Sequence, residues 1–269
     1  MNSFDTKNGN PLMMVLRILL LLAIAYGGAI LWMCIRQESY LFLPCRYDPP
    51  DGAERFSWNP AVNGVQLQGW FLDKGAARTV IYYGGNAEDV SGHIEPFFAW
   101  LEANVLLVNY RGYGESEGKP GEKELVADAL EIYDRLVDEK QIAPENIILM
   151  GRSLGSGVAV QVAAARKSAG VILVTPYESI AAIAKFQYPW LPIERVLRHP
   201  FRSVDLAPEI KLPLLTLLAQ FDEVIPIETG RRLTAAWGGP TETVTLPARH
   251  NEINDDPGYF DAINRFVNR

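Results

Sequence analysis

Cysteine and histidine are scarce in this sequence, and each shortage removes a class of chemistry. The two cysteines are Cys34, inside a long apolar run, and Cys45, just beyond it. Their positions exclude a disulfide within the rest of the chain, and the lack of any CxxC pair excludes a cysteine zinc site. Only three histidines occur, His93, His199 and His250. None has a second histidine at metal-ligand spacing, so the carboxylate-rich stretch around His250 (RHNEINDD) reads as a polar loop. Long basic blocks are missing too, and the net charge is −7. That excludes nucleic acid as a partner, and it excludes attraction to anionic headgroups as the basis of a membrane contact. The stretch NYRGYG at 109–114 has neither GxGxxG spacing nor a Walker lysine, which excludes a nucleotide loop. No cofactor is implied, and no internal repeat appears.

What is present first is an apolar N-terminus. Residues 18–35 (ILLLLAIAYGGAILWMCI) carry no charge, and 12–16 extend the run beyond Arg17, whose long stem can snorkel to a headgroup. About 20 apolar residues cross the hydrocarbon layer, so 12–35 are expected to form one spanning helix after a tail over 1–11. Trp32 sits near the end of the run, where aromatic belts occur. The rival reading is a secretory signal cut near Gly27-Gly28-Ala29, although the run is long for that and the cut would leave an apolar new terminus. Lys7, Arg17 and the terminal amine precede the run, and Arg36 and Arg46 follow it. This balance leans to the N-terminus inside and the remaining chain outside the cytoplasm. Cys34, ending the run, is open to palmitoylation, but a buried helix cysteine is the simpler reading.

Residues 36–60 form a connector rich in Pro and Asp (PCRYDPPDG), and 61–269 form one domain. Residues 65–72 alternate like a half-buried strand. Short apolar runs follow at 79–83, 105–109, 146–150, 170–174, 213–218 and 242–246, each followed by a turn and a helical pattern. Runs this short, buried on both faces, suit a parallel sheet, so the expected class is α/β with a mostly parallel sheet. Residues 122–139 are expected to be an amphipathic helix burying Leu125, Ala129, Ile132, Tyr133 and Leu136. The small, apolar stretch 154–167 suits a helix packed against a sheet, with Gly157 easing the approach. The aromatic and proline cluster within 177–205 breaks the alternation. It fits either a short lid over the sheet's carboxyl ends or ordinary packing of a connecting helix.

G-x-S-x-G occurs twice, at 114–118 (GESEG) and 151–155 (GRSLG). A nucleophile elbow needs a strand, a sharp turn between small residues, then a helix whose N-terminus faces the serine. The second copy has NIILM before it and a small-residue helix after it. The first runs into Lys119-Pro120-Gly121, and two carboxylates flank its serine, where they would repel a developing oxyanion. Ser153 is therefore the expected nucleophile and Ser116 a turn residue. His250, in the loop after the last strand pattern, is the expected base. Asp222, just beyond the 213–218 run, is the expected orienting acid, with Glu223 its main competitor; Asp205 precedes that strand and is set aside. The amides of Leu154, at the helix N-terminus, and Asn86, in the Gly84-Gly85-Asn86 turn after 79–83, are the expected oxyanion donors.

The ordered set YYGGNAEDVSG, VNYRGYGESEGKPGE, ILMGRSLGSGVA, TPYESI, FDEVIP and RHNE spans about residues 82–252. It resembles the membrane-anchored α/β-hydrolase-domain serine hydrolases, which have one N-terminal helix and a short lid. The resemblance implies the α/β-hydrolase fold, with helices on both faces of the sheet. It also implies a Ser153–Asp222–His250 triad, and an oxyanion hole from Asn86 and Leu154. Relatives of this kind act on esters, thioesters of lipidated proteins or lysolipids, and some carry peptidase labels. The expected activity is hydrolysis of a carboxylic ester or thioester, with a lipid or lipidated protein as the acyl donor. An amidase or peptidase with the same triad and a non-catalytic scaffold are the alternatives. One departure stands out: the family commonly has His-Gly-Asn where this chain has Gly84-Gly85-Asn86.

Overall fold

The computed structural model of the protein describes residues 11–269, so the expected N-terminal tail, with Lys7, lies almost wholly outside the described residues. The apolar run is helical, as α1 (Pro11–Leu41), and at 1.5 Å per residue its 31 residues extend ~46 Å. Along its first half Leu20, Leu21 and Ile24 are exposed, with no part of the domain over them. The helix also continues past the charge-free run, through Arg36-Gln37-Glu38 to Leu41, into what reads in sequence as connector. This extension is docked. Ile30 and Met33 pack against Ala181, Leu191 and Ile193, and Gln37, one turn further on, is buried.

After the connector, β1 (Ala61–Val62) and β2 (Val65–Gln66) form a hairpin whose turn, Asn63-Gly64, has positive φ at both residues. That is the geometry matching the twist of paired strands. The single strand expected over 65–72 is therefore two. Leu67 bonds back to Pro60 and Gln68 to Ser116 Oγ, after which β3 (Gly69–Leu72) joins the main sheet. The other strands are β4 (Thr79–Tyr83), β5 (Asn104–Val108), β6 (Ile147–Arg152), β7 (Gly170–Val174), β8 (Leu214–Ala219) and β9 (Thr241–Leu246). Among the described residues the main sheet has seven strands in the order β3-β5-β4-β6-β7-β8-β9. Only β3 runs antiparallel.

The central strands are buried on both faces because helices cover both. On one face lie α3 (Glu122–Lys140), α4 (Leu154–Ala165) and α8 (Ile227–Ala236); on the other, α2 (Ile94–Trp100) and α9 (Gly258–Val267). Between β7 and β8 come three short helices, α5 (Ile180–Gln187), α6 (Ile193–Val196) and α7 (Ser203–Leu206). Ser179 caps α5 by accepting the Ala182 N–H at 3.0 Å. The carboxyl ends of β4, β6 and β8 and the loop after β9 share one edge of the sheet, where ligands bind in folds of this kind.

Helix α3 buries the expected five apolar residues and one more, Asp128. Its carboxylate accepts a bidentate pair of bonds from Arg111, in the loop after β5, and the Asn63 side-chain amide at 2.9 Å. One buried carboxylate thus ties the hairpin, the β5 loop and α3 together. Removing one partner of such a pair leaves an uncompensated charge, so Asp128→Ala is expected to cost about 3–5 kcal/mol, read as a lowered urea midpoint. A loss below about 1 kcal/mol would mean that the pair is effectively solvated.

Candidate active site

The turn from β6 into α4 is strained. Ser153 has φ 48 and ψ −116, a region that residues with a side chain avoid. The chain tolerates it because the residues two before and two after the serine, Gly151 and Gly155, are glycines. A Cβ at Gly151 would lie 2.3 Å from the Gly155 carbonyl oxygen, and one at Gly155 would lie 2.1 Å from that of Tyr83. These two glycines bring α4 down onto β6 and β4. Gly157 does something else: it leaves room for the ring of Tyr177, whose hydroxyl donates to the Leu154 carbonyl at 3.0 Å. Ser153 is left at the positive end of the α4 dipole.

Three side chains from three strand ends meet there. Ser153 Oγ is 3.1 Å from His250 Nε2, and His250 Nδ1 is 2.8 Å from Asp222 Oδ2. An ionised Asp222 can only accept, so Nδ1 carries the ring proton and Nε2 is left to accept from the serine hydroxyl. The other oxygen of Asp222 accepts the N–H groups of Val224 (2.9 Å) and Ile225 (2.7 Å), which fixes the carboxylate in its own turn. Glu223 instead accepts the His250 backbone N–H at 3.4 Å. Asp205 lies on α7.

The remaining serine and histidines of interest have other partners. Ser116 is buried, accepting the Gln68 N–H at 2.9 Å and donating to the Asn109 carbonyl at 3.0 Å. His199 accepts the Glu122 N–H and sets its ring edge against Phe42. His93 meets Glu88 at 2.9 Å.

Asn86 and Leu154 line a cavity of about 420 Å³ together with Ser153. The loop after β4 lies against the serine: a Cβ at Gly85 would come within 3.6 Å of Ser153 Cβ. The Asn86 N–H has no partner among the described residues, and its side-chain oxygen accepts the Leu43 N–H and the Tyr113 hydroxyl, both at 2.9 Å. The Leu154 N–H lies in the first turn of α4, where intrahelical acceptors are lacking. Of the five expected residues, Ser153, His250 and Asp222 are in hydrogen-bond contact in that order, and Asn86 and Leu154 share the cavity lining with Ser153.

Two residues overlooked in the sequence reading hold that arrangement. Glu88 is buried and receives the Gly85 N–H (2.9 Å), the Tyr82 hydroxyl (2.7 Å), Arg152 and His93. Arg152, the variable residue before the serine, also donates to Asn251 Oδ1 at 3.1 Å and reaches the His250 carbonyl at 3.4 Å. One ion pair therefore links the β4 loop, the elbow and the histidine loop. The signal was available as an acid two residues after a Gly-Gly-Asn turn and an arginine inside the elbow, but pairing them needs the fold.

Burial pushes the Glu88 carboxyl up, but His93, Arg152 and the Tyr82 hydroxyl outweigh it and hold the group well below the usual carboxylate range. A depressed folded pKa gives stability that is full above the unfolded value of about 4.3 and is lost as pH falls toward the folded value. Glu88→Gln is therefore expected to be less stable than wild type at pH 6. That gap should narrow steadily below about pH 4.3, measured as urea midpoints across pH. A gap that stays constant down to acid pH would rule the ion-pair account out.

The profile of the family described as serine aminopeptidase, S33, matches residues 78–202. An uncharacterized protein of Mycobacterium tuberculosis is 31% identical over 265 residues, covering 94% of each chain. Alpha/beta hydrolase domain-containing protein 17B of Homo sapiens is 32% identical over 199 residues, which cover 72% of this chain and 67% of that protein. Among solved structures, the esterase Pf2001 of Pyrococcus furiosus superposes with a TM-score of 0.67 at 19% identity, over 84% of this chain and 98% of its own. The esterase likeness shows the fold, an α/β-hydrolase fold, and the human relative carries the kinship: the chain belongs to the α/β-hydrolase family.

Proposed function

We propose that this hydrolase is a membrane-anchored serine hydrolase that cleaves a carboxylic ester or thioester of a lipid-derived acyl group. The observation that carries the reading is the relay from Ser153 through His250 to Asp222 at a strained elbow. His250 removes the serine proton as Oγ attacks the acyl carbon, and Asp222 keeps the ring oriented and stabilises its cation. The Asn86 and Leu154 amides receive the oxyanion, and His250 then protonates the leaving oxygen or sulfur. Water, activated by the same imidazole, releases the acyl group.

The family description raises a second reading, an aminopeptidase. Such an enzyme must hold a protonated α-amino group beside the scissile bond, which calls for a carboxylate in the cavity. Among the described residues no Asp or Glu lines the cavity that contains Ser153, and no Lys or Arg does either. Its walls are chiefly Ile, Leu, Val and Met, which suits an apolar acyl chain. The exposed apolar residues Leu20, Leu21 and Ile24 of α1 support the anchor, since the domain leaves them uncovered. The charge balance favours placing the domain outside the cytoplasm.

Two measurements test the proposal. A fluorophosphonate probe is expected to label wild type and Ser116→Ala, to leave Ser153→Ala unlabelled, and to react about 100-fold or more slowly with His250→Ala. Absence of labelling in folded wild type would refute the nucleophile. On fractionation the full-length chain should sediment with membranes and need detergent for release; soluble recovery without detergent would refute the anchor.

A further inference from the structure

The cavity above Ser153 is not enclosed by the hydrolase domain alone. Its floor is Ser153, Leu154, Asn86 and Tyr177, and one wall is the inner face of α5, with Ile180, Ile183 and Ala184. The facing wall belongs to the N-terminal helix: Met33, Gln37, Tyr40 and Leu41. The docking of that wall is specific. Gln37 is buried, donates to the Val196 carbonyl at 3.1 Å and accepts the Arg198 N–H at 2.7 Å. A polar side chain bonded both ways to the segment after α6 sets the position of α1 against the lid. Glu38 adds an ion pair to Arg198 at 3.2 Å.

The same contact surface runs deeper along α1. The Tyr26 hydroxyl donates to the Trp190 carbonyl at 2.9 Å, and the two rings lie 6.3 Å apart. Tyr26 is in the middle of the charge-free run, ten residues before Arg36, or ~15 Å along the helix axis. If α1 spans a bilayer, the lid tip that touches Tyr26 is within the bilayer as well. Its composition fits that place. Phe186 and Trp190 are exposed, and Pro189 and Pro192 remove two backbone donors from the tip. The Leu191 N–H is taken by the Tyr188 carbonyl, and the Trp190 carbonyl by Tyr26. The charges nearest the tip, Lys185 and Glu194-Arg195, flank it on either side and fit the headgroup level.

The cavity joins the two regions. At one end is Ser153; at the other are Met33 on α1 and Gln187 and Tyr188 at the start of the lid tip. We infer that the acyl chain reaches Ser153 sideways from the bilayer, between α1 and the lid, and that α1 forms half of the acyl-binding wall. The substrate class is then an ester or thioester whose long acyl chain already resides in the membrane. The anchor helix is part of the substrate site and sets chain length through Met33. This inference rests on the serine-hydrolase and membrane-anchor readings above, and its test separates them.

The full-length protein is reconstituted in phosphatidylcholine nanodiscs. Fluorophosphonate labelling comes first, and failure there counts against the hydrolase reading alone. Activity is then compared on p-nitrophenyl palmitate and p-nitrophenyl butyrate. Met33→Trp, on the α1 wall, and Ile183→Trp, facing it on α5, are each expected to lower the palmitate-to-butyrate ratio of kcat/KM by about tenfold or more. Depth is read without turnover, from the emission that Trp190→Phe removes from the wild-type spectrum. That component should be quenched by lipids carrying a doxyl group on the acyl chain and spared by aqueous iodide. Parallel losses on both esters in the two labelled variants would overturn the wall, and quenching by iodide instead of doxyl lipid would overturn the route.

Discussion

The site depends on one buried carboxylate. Glu88 takes a backbone N–H, a phenol, an arginine and a histidine, each from a different part of the local structure. A buried charge this far from water is costly unless every lone pair is used, and here the donors outnumber what one ordinary ion pair would supply. The gain is positional more than energetic. The Gly85 N–H fixes the loop that carries Asn86, and Arg152 fixes the elbow and, through Asn251, the loop that carries His250. Strain at Ser153 persists only where the surroundings over-determine it, and this cluster is what does so on the sheet side. Tyr82 stays a donor because burial, with Glu88 beside it, pushes its phenol well above the ordinary range.

A second constraint acts from the N-terminal helix. An apolar helix could have been joined to the domain by a free tether, but α1 continues into the domain without a flexible joint. Phe42 is buried, Tyr47 bonds to Asp89, and Gly114 bonds to the Cys45 carbonyl, so the connector is held at several points. The segment carrying α5 and α6 has too small a core to stand alone: Ala181, Leu191 and Ile193 are completed by Ile30 and Met33 of α1. This segment and α1 are one packing unit, and the apolar cavity between them follows from that arrangement.

The sequence made the sheet and the elbow legible because both rest on local patterns. Short β-branched runs mark buried parallel strands, and 79–83 and 170–174 match their strands to the residue. Ser153, Asp222 and His250 could be chosen because each follows a strand, and chain order then limits the options. What could not be read depends on pairing distant residues. Gln37 falls within what reads as connector over 36–60, and only its bonds to residues 196 and 198 explain why the helix runs on to Leu41. The 65–72 alternation gave no sign of its break, which comes from Ser116 and Pro60 claiming the backbone of Gln68 and Leu67. Gly157 reads in sequence as easing the approach of helix to sheet, whereas in the fold it makes room for the rings of Tyr177 and Phe201.

The departure at Gly84 shows how these constraints combine. A side chain at that position does not fit the present loop, since a Cβ alone would lie 2.8 Å from Val90 Cγ1 and 3.2 Å from Glu88 Oε1. Whatever a histidine ring supports at that position in similar proteins must therefore come from elsewhere here. Glu88 closes the loop by taking the Gly85 N–H, and the Tyr110 hydroxyl holds the Gly84 carbonyl at 3.0 Å. The Asn86 side chain is fixed in turn by Leu43 and Tyr113. Three side chains thus hold residues 84–86 from three sides, and the proposed oxyanion donor needs no histidine behind it. The arrangement also involves α1. Leu43 is two residues past the end of α1, so the segment that steadies the Asn86 loop is the one that ends the apolar helix. The Leu43 N–H therefore ties the end of α1 to the loop whose amide would hold the oxyanion, which makes the helix a structural part of the proposed site.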